Sequence, residues 1–163
     1  MNLNIPYLET DNKLLNDAYR IAAGDIVGNI VYYQNGLLTE EKPCMIAGLD
    51  YNTPWTRDTA INIWNALSIL SPEVSKNTLL AVLEEEEGSI YIGGQYWDSI
   101  IWMIGAREYC RFHKDDNFYR LAFEAGRNSV HRLEEDEFDE EDGLFRGPAV
   151  YGDGIAAYPD KYS

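Results

Sequence analysis

The chain reads as an all-α protein built of antiparallel helical hairpins in two concentric layers. Three observations predict this. Apolar residues recur at helical spacing in five segments, and no segment shows convincing strand alternation. Helices apolar on one side also alternate with helices apolar nearly all round. An outer helix buries only the face it turns to the inner layer, whereas an inner helix is covered by the outer layer on one side and the ring interior on the other.

The first helix spans about residues 11–33, with Leu14, Ala18, Ile21, Ala22, Ile26, Ile30 and Tyr33 at helical spacing and polar residues between them. A long connection over about 34–54 carries Asn35-Gly36, Pro43 and Gly48 and leads to a second helix over about 56–70. Here Ala60, Ile61, Ile63, Trp64, Ala66, Leu67, Ile69 and Leu70 leave little polar face. Ser71-Pro72 supplies an N-cap and a first-turn proline for a third helix to about Glu86, ended by Gly88 and striped on one side by Leu79, Leu80, Val82 and Leu83. A loop over about 88–95 precedes the fourth helix, about 96–113, apolar on most sides through Ile100, Ile101, Trp102, Met103, Ile104 and Ala106. Asp115 or Asp116 caps a fifth helix to about Glu135, one-sided through Phe118, Leu121, Ala122 and Ala125, and a long loop over about 136–160 follows. Each long loop leaves a one-sided helix, so all of them gather at one end. Spacings between comparable loop residues are unequal, and no solenoid-type tandem repeat is evident.

At 163 residues with 45% hydrophobic and 13% aromatic residues, the chain has the size and apolar content of one domain, 1–163. Thirteen basic against 28 acidic residues give a formal charge of −15, which repels nucleic-acid phosphates and anionic membrane surfaces. The runs Glu84 to Glu87 and Glu134 to Asp142 read as solvated faces or loops. Cys44 and Cys110 form no disulfide framework or metal-ligand set and are expected to be free, buried thiols. His113 and His131 are isolated and read as structural. No motif asks for a cofactor or a metal; an EF-hand reading of the second acidic run fails because Phe138 occupies a ligand position. No signal segment or membrane-length apolar run is visible, so the expected location is the cytoplasm.

Function is carried by three aromatic-plus-carboxylate clusters, Trp55-Thr56-Arg57-Asp58, Tyr96-Trp97-Asp98 and Tyr151-Gly152-Asp153, each in a long loop or at its junction with a helix. Aromatic faces pack on the C–H faces of sugar rings while carboxylates and Arg take up their hydroxyls, so this combination points to an oligosaccharide or glycoside ligand. Arg57 beside Asp58 suits vicinal hydroxyls. Asp98 can equally cap its helix, and Asp153, flanked by Gly152 and Gly154, can equally sit in an ordinary Asp-Gly turn.

At these places the chain resembles the six-hairpin glycosidases, the superfamily of glucoamylases, trehalases and debranching glucosidases. Thr53-Pro54-Trp55-Thr56-Arg57-Asp58-Thr59-Ala60 is similar to the glucoamylase Trp-x-Arg-Asp segment at the start of the second helix, and Tyr96-Trp97-Asp98-Ser99 to a trehalase signature that falls one hairpin later here. The resemblance implies about half of an (α/α)₆ toroid and glycoside hydrolysis with inversion. Trp55, Arg57, Asp58, Tyr96, Trp97, Asp98 and Tyr151 are then substrate-binding residues. By the same likeness Asp153 is the general acid, with Glu140, Glu141 and Asp142 as rivals. The general base is expected outside these 163 residues, which read as the N-terminal half of such an enzyme, inactive alone and prone to self-association. A helical interaction scaffold, or a carbohydrate-binding half-barrel without catalysis, is the alternative.

Overall fold

The computed structural model describes residues 5–48, 50–95 and 97–146. Over these the protein is mixed α/β, 56% helix and 14% strand with three small antiparallel sheets, and the expectation of an all-α half-toroid is corrected accordingly. Helices form in all five expected regions, but the connection after each one-sided helix contains a two-stranded hairpin.

Helix α1 runs Lys13–Gly28, capped by the Asn12 side chain, which accepts from the Leu15 N–H. Ile30 and Tyr33, counted above into its apolar stripe, lie instead in strand β1, Ile30–Tyr33, which pairs with β2, Lys42–Met45. The β-branched and aromatic run Ile30-Val31-Tyr32-Tyr33 suits a pleated ribbon, yet four residues are too few to display a period. Helix α2, Thr56–Asn62, continues through a π-helical turn, Ile63–Leu67, into α3, Ser68–Leu70. This inner helix is not covered all round. Ile63 and Leu67 are buried, whereas Trp64 is 53% and Ile69 62% exposed.

Helix α4, Pro72–Ala81, begins as expected, with the Ser71 hydroxyl accepting from the Val74 N–H, but stops short of Glu86. Residues Leu83–Glu86 form β3, paired with β4, Ser89–Ile92. Glu86 faces Ser89 across a two-residue turn, with Glu87 at φ 50° and Gly88 at φ 80°. That backbone matches the twist of a tight hairpin, and glycine takes its second place without strain. Pairing with Ile90, Tyr91 and Ile92 thus overrides the helix propensity of the glutamates. Helix α5, Asp98–Phe112, and helix α6, Asp116–Glu137, follow, the latter capped by Asp115, which accepts from the Phe118 N–H at 3.0 Å. Strands β5, Phe138–Asp139, and β6, Leu144–Phe145, close the described part.

The three hairpins repeat one design. In each, the residue after the second strand donates its N–H to the carbonyl of the residue before the first: Ile46 to Asn29, Gly93 to Val82 and Arg146 to Glu137. Two of them dock identically on the next outer helix. The Met45 N–H donates to the Thr78 hydroxyl and the Asn77 amide to the Pro43 carbonyl on α4. On α6 the Ile92 N–H donates to the Ser129 hydroxyl and the Asn128 amide to the Ile90 carbonyl. An Asn followed by a small hydroxyl residue is therefore the clasp in both units. Different outer-helix lengths, 10 residues for α4 and 22 for α6, hide this repeat from a spacing test.

The core lies among the α2–α3 segment, α4, α5, α6 and the first two hairpins. Trp102, Ile63, Leu67, Leu79 and Leu83 are fully buried, and the Trp102 indole donates to the Leu79 carbonyl. Helices α2 and α5 touch backbone to backbone: a Cβ placed on Gly105 would meet the Ala60 Cα at 2.8 Å. Cys44 is buried and Cys110 half-buried, both free. Among the described residues no helix is long and apolar enough to cross a membrane.

Candidate functional site

Two of the predicted clusters meet. The chain between β2 and α2 and the chain between β4 and α5 end side by side, and the Arg57 Nε donates to the Asp98 Oδ1 at 3.0 Å across 41 residues of sequence. Asp98 is nearly fully enclosed, its side chain 4% exposed, and its second oxygen accepts from the Gln95 N–H at 2.9 Å. The Thr56 hydroxyl, also buried, donates to the Gly93 carbonyl at 2.8 Å. Gly94 lies between the two segments at φ 116°, where a Cβ would come within 2.8 Å of both the Asp98 Oδ2 and the Thr56 Oγ1. Only glycine allows that closure. Asp98 therefore acts as an internal organiser that holds Arg57 and the glycine loop. Its carboxylate takes up the Arg57 guanidinium and the Gln95 N–H rather than the N–H groups of its own helix, so Asp98 positions Arg57 and the glycine loop without capping α5.

Trp55 precedes α2, 43% exposed, with its ring edge-on to Tyr51. Asp58 is half-buried in the first turn of α2. Trp97, also half-buried, packs edge-on against Phe145 of the third hairpin at 6.0 Å. Beside Trp55 opens a cleft of about 250 Å³ whose lining includes Tyr33, Asn35, Thr56, Glu84 and Gly94. It offers aromatic surface, an amide and a carboxylate, the combination by which sugars are held. Glu84 extends from β3 over the glycine loop: its Oε1 lies 2.5 Å from where a Gly93 Cβ would be. Tyr33, Asn35 and Glu84 escaped the sequence reading. Tyr33 falls in the expected first helix and Glu84 in the expected solvated run, and with the strands paired both line the cleft with Trp55. The pattern Glu-Glu-Glu-Glu-Gly followed by Ser-Ile-Tyr-Ile was the available hairpin signal.

Tyr96, Tyr151 and Asp153 lie outside the described residues. Of the rival acids, Glu140, Glu141 and Asp142 are exposed at the tip of the third hairpin, where the Glu141 and Asp142 N–H groups donate to the Asp139 carboxylate. Arg146 also pairs with Asp139 and, with those N–H groups, holds its carboxyl below the usual range. This tip is a self-contained turn. Among the described residues no three His, Cys, Asp or Glu side chains gather in a way that could hold a metal ion. His113 donates through Nε2 to the Ser68 carbonyl at 2.6 Å and leans on Tyr109, a structural arrangement. His131 is exposed beside Glu134. No family model, no curated protein and no solved structure matches the chain.

Proposed function

We propose that the protein binds a carbohydrate at the junction of the first two hairpins, as the sugar-recognition part of a glycoside hydrolase site. The observation that carries this reading is the Arg57–Asp98 pair, which draws the Trp55-Thr56-Arg57-Asp58 segment and the Trp97-Asp98 segment together beside a cleft lined by Trp55, Tyr33 and Glu84. Trp55 supplies a partly exposed ring for a sugar face, and Asn35 and Glu84 supply polar groups within the cleft. Arg57, oriented by Asp98, and Asp58 follow the lining residues Trp55 and Thr56 on α2 and take up further hydroxyls. Likeness of the residues from Thr53 to Ala60 to the glucoamylase segment supports hydrolysis as the reaction, with Asp153 protonating the glycosidic oxygen and a second carboxylate activating water from the opposite face. The competing reading, a helical interaction scaffold, draws on the internal use of Asp98 and the exposure of Trp64 and Ile69.

Titration with mono- and disaccharides while following tryptophan fluorescence separates the two. Saturable quenching is expected, weakened about tenfold or more in Asp58→Ala, since a hydrogen bond to a charged group is worth about 1.5–3 kcal/mol. Trp55→Phe should remove most of the signal. No response to any saccharide would favour the scaffold.

A further inference from the structure

The repeat of helix and hairpin is open at both ends. Each of the first two hairpins is covered by the outer helix of the next unit, β2 by α4 and β4 by α6. Cys44 is buried with Ala81 of α4, and the Tyr91 ring lies under Arg132 of α6. Leu144 is their counterpart in the third hairpin, aligned by the N–H bond that follows each second strand, and it is 67% exposed. The clasp is missing here too. Among the described residues no side chain meets the Phe145 N–H or the Gly143 carbonyl, which stand where Met45 or Ile92 and Pro43 or Ile90 are held.

Helix α1 is the matching open end, an outer helix with no hairpin before it and no buried residue. On α6, Phe118, Ala122, Ala125 and Ser129 share one face at i, i+4, i+7 and i+11, apolar up to the hydroxyl that accepts the hairpin N–H. On α1, Leu14, Ala18, Ile21 and Asp25 repeat that spacing, with a carboxylate in the place of the hydroxyl. The face on α6 is buried or half-buried, whereas all four residues on α1 are exposed. Lys13 and Arg20 balance Asp17 and Asp25, so α1 brings no net charge to the acidic third hairpin.

We propose that the chain assembles head to tail, with α1 of one copy covering the third hairpin of another. A second copy is the occupant because one chain carries both unpaired halves of an interface that it already forms twice within itself. The apolar face of α1 covers Leu144, and Asp25 accepts from the Phe145 N–H of the other copy, as Thr78 and Ser129 accept from the hairpins they clasp. Gly24 precedes Asp25 where an Asn precedes Thr78 and Ser129, so only the accepting half of the clasp is supplied and the contact is reversible. Unlike surfaces meet, so the assembly closes into a ring where the rotation allows and otherwise extends.

The test is sedimentation velocity of the full chain at high ionic strength, where charge repulsion is screened. Ile21→Glu disables α1 and Leu144→Glu the hairpin; both side chains are exposed, so both variants keep the fold, and circular dichroism melting checks this. Each variant alone is expected to sediment as a monomer at concentrations where the wild-type chain associates. Their equimolar mixture should form a one-to-one heterodimer, since each supplies the surface that the other lacks. Asp25→Ala should weaken association of the otherwise unchanged chain about tenfold or more, the worth of a hydrogen bond to a charged group. A monomeric wild-type chain, a variant that still associates alone, or a mixture that stays monomeric would overturn the head-to-tail contact. So would association that survives both variants and is lost in Trp64→Glu, which would move the contact to the inner helices.

Discussion

Single residues show how far burial changes the chemistry of ordinary side chains. Cys44, in strand β2 of the first hairpin, is fully enclosed, and burial pushes its thiol up to about 12, with the Thr78 hydroxyl offsetting only part. Thiolate is the reactive form, so Cys44 should resist iodoacetamide at pH 8 until the protein unfolds. Mass spectrometry of native and urea-treated samples checks this, and native labelling of Cys44 would contradict the packing. Asp115 is shifted the other way: the Lys76 ammonium first, and the Phe118 N–H second, hold its carboxyl below the ordinary value. A carboxylate with a lowered native pKa contributes stability above its unfolded pKa, and that contribution disappears as pH falls through the native value. Asp115→Asn keeps a capping side chain but removes the charge. It should therefore cost stability at pH 7 and almost none near pH 2, whereas Asp115→Ala should lose about 1 kcal/mol more at neutral pH. Urea unfolding at the two pH values decides; equal losses for Asp115→Asn at both would remove the charge from the account. Both caps, Ser71 and Asp115, were legible in sequence because capping is local.

At the scale of elements, the hairpins were the part not legible. Each strand has four residues or fewer, and every rung depends on a partner strand closed by a turn or by a clasp from a distant helix. Local periodicity carries no record of the Asn77-Thr78 and Asn128-Ser129 clasps, which act on carbonyls and N–H groups more than 30 residues away. The inner helices, in contrast, were placed nearly to the residue because their apolar runs are long. What remained hidden was how closely they pass. Gly105→Ala in an unconstrained helix interior should stabilise by about 0.5–1 kcal/mol. Here the added methyl meets Ala60 at 2.8 Å from its Cα, so we expect a net loss of about 1–3 kcal/mol, larger for Gly105→Val. A stabilised Gly105→Ala protein in urea titration would place α2 and α5 further apart than described.

For the whole molecule, the balance is between apolar surface and charge. Helix α1 has no buried residue; Leu14 is 78% and Ile21 65% exposed, and Trp64, Ile69 and Phe123 add apolar surface elsewhere. Such surface favours self-association, while a net charge of −15 opposes it. The expected result is reversible association that strengthens with salt, as screening removes the charge repulsion and leaves the apolar contact intact. Sedimentation velocity at low and high ionic strength measures it, and a monomer under both conditions would refute it. By itself the sequence determined the acidic character, the helical segments with their caps, and the aromatic-carboxylate segments at the ends of the long connections, since composition, period and capping are properties of neighbouring residues. Only the tertiary structure decided that those connections are hairpins and that Arg57 reaches Asp98. It alone enclosed Asp98 as an organiser and set Glu84 into the cleft beside Trp55, because strand pairing, ion pairing and clefts arise between residues that the chain holds far apart.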